Sequence, residues 1–162
     1  MADAVDLPVV ATGGIGDARG VVAALVLGAS AVQIGSAFLR CPEAGVHPAW
    51  AEALARAAPE DTIVTSVFSG RAGRSLATDY ALAAIADDAP PPAPYPVQRG
   101  LTAAMRAQAA ETGDVQRMQA WAGQSVRLGR AEPAGRLVRH MWDGALALLK
   151  EGHAEDRRFE SG

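Results

Sequence analysis

Two short apolar runs near the N-terminus each end at glycine, and they set the pattern of the early part of the chain. The first run, Leu7–Ala11, is rich in β-branched residues and is followed by Gly13 and Gly14. The second run, Ala31–Ile34, is followed directly by Gly35. Short apolar runs bounded by turn residues are typical of buried strands. We therefore predict a strand in each run and a tight turn after each strand.

A helix is predicted between these two strands. Asp17 suits the N-cap of a helix over Ala18–Leu27, and Gly28 suits the position after its end. The residues expected on its inner face are Val21, Val22, Leu25 and Val26. The order strand, helix, strand indicates a parallel α/β sheet.

The rest of the chain predicts short elements and then a mainly helical region. The short elements are a helical turn over Ser36–Arg40 that Pro42 ends, a helix from His47 to about Ala57, a strand or extended segment over Thr62–Phe68, a loop over Ser69–Arg74 and a short helix from Thr78 or Asp79 to about Ala86. Half of the prolines fall in Ala89–Pro96, which favours an extended linker. The later helices are expected over Leu101–Glu111, Val115–Leu128 and Ala134–Lys150, before a charged tail from Gly152.

The spacing of the glycines adds a chemical prediction. Gly14 and Gly35 are 21 positions apart, about one helix plus one strand. That is the layout of strands 7 and 8 of a (β/α)₈ TIM barrel, whose following loops frequently hold a phosphate. At Gly13, Gly14 and Gly35 the backbone N–H groups can approach an anion without an intervening Cβ, and Ser36 adds a hydroxyl. Ordinary tight turns are the alternative, but two glycine turns at consecutive strand ends favour a phosphate ligand.

Length, charge and cysteine content limit the remaining possibilities. A whole barrel typically needs about 250 residues, so a chain of 162 residues is expected to hold only its C-terminal part. The net charge of −3 and the lack of a dense basic stretch argue against a nucleic-acid partner. The single cysteine, Cys41, excludes an intramolecular disulfide, and no metal site is indicated. No apolar run is long enough to span a membrane and no signal peptide is recognised, so a cytoplasmic location is expected.

Several blocks of the sequence resemble the nitronate monooxygenases, formerly called 2-nitropropane dioxygenases. The blocks are Leu7–Gly20, Ala24–Leu39, Phe68–Arg74, Pro94–Gln98 and Trp121–Ser125. The first is shared loosely by many FMN barrels, whereas the later ones are more specific. The resemblance extends to about Trp142.

The resemblance implies an FMN-binding (β/α)₈ barrel with an added helical region. Such enzymes use FMN and O₂ to oxidise alkyl nitronates to carbonyl compounds and nitrite. Carried over by position, Gly13 and Gly14 after strand 7 and Gly35 and Ser36 after strand 8 would bind the FMN phosphate. The segment containing Trp121, Gly123 and Gln124 would lie near the flavin or the substrate pocket.

The resemblance also predicts a division of the chain and a missing part. Residues 1–88 would be the barrel units with the phosphate loops, residues 89–100 a proline-rich linker and residues 101–162 the helical region. Strands 1 to 6 and the family's catalytic histidine, which lies upstream of the strand matching Leu7–Ala11, have no counterpart. We therefore expect no catalytic residue in this chain, no activity and no tight FMN binding by the chain alone, and self-association through exposed barrel edges.

Alternative interpretations remain open at this point. The chain could come from another FMN barrel oxidoreductase, such as a flavin-dependent enoyl reductase, or it could be a non-catalytic remnant or an interaction module. Arg71 and Arg74 could bind an anion or belong to a solvated loop. Simple structural roles are expected for the other candidates: capping or surface for His47, solvation for His140 and His153, packing for Cys41, and core or interface anchoring for Trp50, Trp121 and Trp142.

Overall fold

The computed structural model describes the backbone of residues 1–159 and the side chains of residues 1–151. The strands are β1 (Val10–Thr12), β2 (Ala31–Gln33), β3 (Thr62–Thr65) and β4 (Gly73–Leu76). The helices are α1 (Ala18–Val26), α2 (Pro48–Arg56), α3 (Asp79–Ala83), α4 (Val97–Leu101), α5 (Ala103–Thr112) and α6 (Ala134–Phe159). The 3₁₀ helices are Ala2–Ala4, Ser36–Phe38, Pro42–Ala44, Pro59–Asp61 and Gln124–Leu128. His153 lies outside the residues whose side chains are described.

Strands β1 and β2 form a parallel pair connected through α1. Val10 pairs with Ala31 and Thr12 pairs with Gln33. The predicted α/β class and the predicted parallel order are therefore confirmed. The first strand begins at Val10 rather than at Leu7, because Pro8 has no N–H to donate to a ladder. Leu7 lies outside the strand and its surface is 75% exposed.

Helix α1 begins at the predicted N-cap. The Asp17 carboxylate accepts a hydrogen bond from the Gly20 N–H at 3.0 Å. This bond, reinforced by Arg19, holds the pKa of Asp17 below its usual value despite partial desolvation. The prediction that Val26 faces inward is wrong, since its surface is 71% exposed. Val26 lies about 140° around the helix from the buried Val21, and therefore on another face.

Strands β3 and β4 form an antiparallel hairpin that the sequence analysis did not predict. Thr62 pairs with Leu76 and Thr65 pairs with Gly73. The predicted extended segment therefore ends at Thr65 rather than Phe68, and the predicted loop over Ser69–Arg74 ends before Gly73. The physical reason is cross-strand pairing, which recruits Gly73 and Arg74 into a ladder that their local sequence does not specify.

The prediction of a helix over Val115–Leu128 is wrong. Helix α5 ends at Thr112, and Gly113 follows in a left-handed conformation with φ of +71°. The chain then runs along β4, where the Leu76 N–H donates to Ala120 O at 2.9 Å and the Ala122 N–H donates to Arg74 O at 3.0 Å. Pairing with a strand edge has overridden helical propensity here, and only the 3₁₀ helix Gln124–Leu128 remains.

The proline-rich segment packs against the β3–β4 hairpin. Gly70 has φ of +85°, and a Cβ there would lie 2.4 Å from the Tyr95 backbone nitrogen. Helix α4 (Val97–Leu101) begins inside the stretch 89–100 that the sequence predicts to be a linker. The predicted helical turn over Ser36–Arg40 is the shorter 3₁₀ helix Ser36–Phe38, and Pro42 begins the next 3₁₀ helix, Pro42–Ala44.

The buried residues form clusters that hold the two sheets in place. The largest cluster joins α2, β4, α5 and the 118–126 segment through Leu54, Leu76, Ala109, Met118, Ala120, Ala122 and Val126. A second cluster places Ala37 and Cys41 against α6. A third surrounds the fully buried Phe68. Helix α6 also packs on α1, where a Cβ on Gly144 would lie 2.9 Å from the Ala18 Cβ.

Candidate functional site

The turn after β1 presents exposed backbone. Gly13 and Gly14 have φ of +93° and +73°, a region that side chains with a Cβ rarely adopt. A Cβ at either position would meet nothing within 4 Å, so the space in front of the turn is open. The Gly14 N–H makes no hydrogen bond to any described residue. The turn therefore offers at least one N–H group to a ligand that approaches from outside.

The turn after β2 lies beside it and is equally open. A Cβ at Gly35 would also meet nothing within 4 Å. Because Thr12 and Gln33 are in register, and the Thr12 hydroxyl donates to Gln33 O at 3.1 Å, both turns leave the same edge of the parallel pair. Ala37, in the 3₁₀ helix that follows, is fully buried and anchors the second turn. The structure thus brings the two predicted glycine turns together.

Ser36 links the second turn to a segment far along the chain. Its hydroxyl oxygen accepts a hydrogen bond from the Gly123 N–H at 2.7 Å, across 87 positions of sequence. Because Ser36 Oγ acts as the acceptor, its own proton is available to donate to a ligand. A Cβ at Gly123 would lie 3.0 Å from Ser36 Oγ, so glycine permits this close approach. Two predicted site residues from separate sequence blocks therefore meet.

The other two predicted site residues of that block, Trp121 and Gln124, lie in different surroundings. The Trp121 ring packs on Gly73, where a Cβ would lie 2.8 Å from the ring. It also meets Phe68 edge-on, with ring centroids 5.9 Å apart. The anchoring role expected of Trp121 fits these contacts. Gln124 is exposed and starts the 3₁₀ helix, with no described hydrogen bond from its amide. Their predicted place beside the flavin or substrate stays a prediction.

The histidines and arginines singled out by sequence have structural contacts. The Nδ1 atom of His47 accepts from the Ala49 N–H at 3.1 Å and caps α2, as expected. His140 is exposed, with its Nε2 3.2 Å from Arg130 Nη1. The Arg71 guanidinium lies 4.2 Å from the centroid of the Tyr95 ring, and Arg74 donates to Thr62 O at 3.1 Å. None of these groups lies in the glycine turns.

Cys41 is buried in the cluster beneath the second turn. Desolvation raises the pKa of its thiol, and Glu43 and Glu132 raise it further. The neutral thiol is therefore favoured, in agreement with the expected packing role. Among the described residues, no group of three or more His, Cys, Asp or Glu side chains could hold a metal ion. In the same part of the chain, no helix is both long and apolar enough to cross a membrane.

Sequence reasoning missed glycines that position the site by close packing. A Cβ at Gly16 would lie 2.9 Å from Leu128 Cδ1, and one at Gly129 would lie 3.5 Å from Ser36 O. These glycines let the 3₁₀ helix Gln124–Leu128 approach both turns. Neither glycine has a positive φ, and neither was recognised as part of a turn. The clue available in the sequence was that each glycine lies next to a site motif without belonging to a predicted turn.

The parallel pair with its two open glycine turns defines an α/β fold, and comparison with known proteins identifies its family. The sequence profile of the family described as nitronate monooxygenase matches residues 1–144. The chain belongs to this family, so the resemblance noted from the sequence is confirmed.

Individual relatives agree with this assignment. The chain is 38% identical over 143 residues to a probable nitronate monooxygenase of Staphylococcus saprophyticus, covering 87% of this chain and 39% of that protein. It is 44% identical over 133 residues to a nitronate monooxygenase of Pseudomonas aeruginosa, covering 82% of this chain and 38% of that protein. The chain thus spans about two fifths of the length of these relatives.

Solved structures show the same likeness in three dimensions. A nitroalkane oxidase from Streptomyces ansochromogenes matches with a TM-score of 0.84 and 40% identity, over 92% of this chain and 42% of that one. FabK from Thermotoga maritima matches with a TM-score of 0.77 and 29% identity, over 95% of this chain and 49% of that one.

Proposed function

We propose that this chain supplies the FMN phosphate site of an enzyme that oxidises alkyl nitronates with O₂ to carbonyl compounds and nitrite. The observation that carries the proposal is the pair of open glycine turns at one edge of the β1–β2 sheet. Family membership supports the substrate class. In this proposal β1 and β2 are strands 7 and 8 of a TIM barrel, and residues 101–162 form the added helical region.

The residues present fit a phosphate group. A phosphate needs several N–H or O–H donors and room to enter. Gly13, Gly14 and Gly35 leave that room, and a Cβ at Gly14 would occupy space now open to the ligand. The Ser36 hydroxyl is oriented by Gly123 and retains a proton to donate. These groups would hold the phosphate, and the Trp121–Gln124 segment would lie on the flavin or substrate side.

The chemistry would be divided between this chain and the rest of the enzyme. FMN, when bound, supplies the redox chemistry, whereas the protein binds and orients it. The two histidines with described side chains do not serve as a base at the turns, since His47 caps α2 and His140 contacts Arg130. We assign the catalytic base to a part of the enzyme outside these 162 residues, so the chain alone would not turn over nitronate.

A chimera gives the sharpest test of this function. Residues 1–144 of this chain would replace the matching segment of the Pseudomonas aeruginosa relative, and flavin content and nitrite release would be measured. We expect bound FMN and nitrite release from a nitroalkane anion. Gly14→Val and Gly35→Val should each lower flavin content at least about tenfold, because the added side chain keeps the phosphate away from the backbone N–H groups and the charge-assisted hydrogen bonds lost are worth this much.

Matched glycines serve as controls for that test. Gly45 also has a positive φ, of +61°, and open space where a Cβ would be, so Gly45→Val controls for the strain in Gly14→Val. Gly100 is open and has no positive φ, so Gly100→Val controls for Gly35→Val. A folded chimera that binds no FMN, or controls that lose flavin equally, would contradict the proposal.

The alternative function is that of another FMN barrel oxidoreductase, such as a flavin-dependent enoyl reductase. The likeness to FabK supports this alternative only weakly, because the sequence identity to FabK is 29% whereas the identity to the nitroalkane oxidase is 40%. If the chimera reduces an enoyl thioester with a nicotinamide cofactor and releases no nitrite, the enoyl reductase function is supported instead. The expected cytoplasmic location and the division at residues 89–100 stay predictions.

Exposed apolar residues beside β1 lead us to propose self-association of the isolated chain. Val10 on β1 is 53% exposed and Leu7 just before it is 75% exposed. A strand edge with apolar side chains is a template for pairing with another chain. We expect concentration-dependent association in sedimentation velocity, weakened by Val10→Lys. A chain that remains monomeric at high concentration would contradict this.

A further inference from the structure

A basic cleft lies between three elements and begins at Gly16 and Asp17, just after the first glycine turn. Its walls come from the first turn of α1, the loop that follows the 3₁₀ helix Gln124–Leu128, and the face of α6. Its volume is about 390 Å³, within the range of small-molecule sites. Four basic side chains line it: Arg19, Arg127, Arg130 and His140. We refer to it as the basic cleft.

The positive charge of the basic cleft is only partly neutralised. Arg19 forms an ion pair with Asp17 at 2.7 Å, and Arg130 lies 4.0 Å from Glu132. Arg127 makes no ion pair or hydrogen bond with any described residue. Arg130 Nη1 lies 3.2 Å from His140 Nε2, and because a guanidinium can only donate, His140 Nε2 is the acceptor of this contact. The Arg127 guanidinium and the remaining N–H groups of Arg19 and Arg130 are left to bind an anion.

The basic cleft is separate from the glycine turns. Its lining includes none of Gly13, Gly14, Gly35 or Ser36. Gly16, two positions after Gly14, is the nearest lining residue to the first turn, and there it packs against Leu128. An anion in the basic cleft would therefore be a second ligand rather than the flavin phosphate.

We propose that the basic cleft binds a small organic phosphate ester. Guanidinium groups from separate elements match the several oxygens of a phosphate better than the two of a carboxylate. The lining also includes the apolar side chains Leu128, Leu137 and Met141. The phosphate would lie among the arginines and the organic group against these apolar side chains.

Isothermal titration of the full chain with three probes tests the proposal. The probes are inorganic phosphate, phenyl phosphate and benzoate. Phenyl phosphate should bind most tightly, since only it offers both a phosphate and an apolar group. Tighter binding of benzoate, or equal binding of inorganic and phenyl phosphate, would overturn the assignment, and so would the absence of binding.

Variants locate the binding and separate it from the flavin site. The double change Arg127→Gln with Arg130→Gln should weaken phenyl phosphate at least about tenfold, because two charged contacts are lost. The matched control is Arg56→Gln with Arg117→Gln, which removes the same charge from exposed ion pairs elsewhere. Circular dichroism verifies the fold of each variant. With Arg130 left unchanged, Arg127→Lys should bind phenyl phosphate more tightly than Arg127→Gln does, because lysine keeps the charge.

The glycine variant distinguishes this proposal from the proposed function. Gly14→Val should leave phenyl phosphate binding unchanged while it lowers flavin content in the chimera. If Gly14→Val abolishes phenyl phosphate binding and the double arginine variant does not, the phosphate binds at the turns and the basic cleft proposal is overturned. Loss of flavin without loss of phenyl phosphate binding supports both proposals.

Discussion

Glycine is used in opposite ways by the two small sheets of this molecule. Beside the parallel pair β1–β2, Gly14 and Gly35 face open space. Beside the hairpin β3–β4, Gly70 and Gly73 face filled space, against the Tyr95 backbone and the Trp121 ring. An open glycine leaves room for something outside the chain, whereas a filled one lets the chain pack on itself. The difference separates a candidate binding surface from a packed core.

The largest expected effect on stability comes from filling the space at Gly70. Its φ of +85° disfavours any side chain, and a Cβ would overlap the backbone of residues 93 to 95. Backbone cannot move aside as a flexible side chain can. Gly70→Val should lower the free energy of unfolding by about 3 kcal/mol or more. Urea unfolding measures it, and an effect as small as that of Gly45→Val would contradict the packing account.

Gly73→Val is expected to cost somewhat less, about 2 kcal/mol, because its neighbour is a side chain. The Trp121 ring lies 2.8 Å from where the Cβ would be. The cost should fall when Trp121→Leu is added, since the smaller side chain leaves room. A double-mutant cycle by urea unfolding tests this coupling. Strictly additive effects would show that the ring does not cause the loss.

Ser36→Ala should have a smaller effect on stability and a clear effect on flavin content. It leaves the Gly123 N–H without its acceptor, at a cost of about 1 kcal/mol. It also removes a donor from the proposed phosphate site. Ser36→Thr retains the hydroxyl and should keep flavin in the chimera. Equal flavin loss in both variants would argue against a role for the hydroxyl.

The smallest effect concerns the Asp17 cap and depends on pH. Because the pKa of Asp17 is lowered in the folded chain, its stabilisation is present above the unfolded carboxyl pKa and disappears as pH falls through the folded value. Asp17→Asn keeps a capping side chain but removes the charge. Its stability should therefore fall slightly short of the native chain's at pH 7 and approach it at an acidic pH below the lowered pKa of Asp17. Urea midpoints at both values measure it, and a constant difference would contradict the linkage.

Local chemistry made the parallel pair predictable, whereas distant pairing hid the hairpin. Asp17 and His47 were recognisable as caps because capping involves neighbours within a few residues. Ser75 pairs with Trp121, and the Ala122 N–H donates to Arg74 O. No local pattern in residues 115–128 predicts this pairing. In the site, the glycine turns follow from strand ends that the sequence shows. The Ser36–Gly123 contact crosses 87 positions and depends on the whole fold.

The proposed function requires the open glycine turns to admit a flavin phosphate. The most direct test compares FMN content in the chimera carrying Gly14→Val with that carrying Gly45→Val, since both glycines are open and have positive φ. We predict that Gly14→Val loses FMN while Gly45→Val keeps it. Retention of FMN by both variants, in folded protein, would contradict the account.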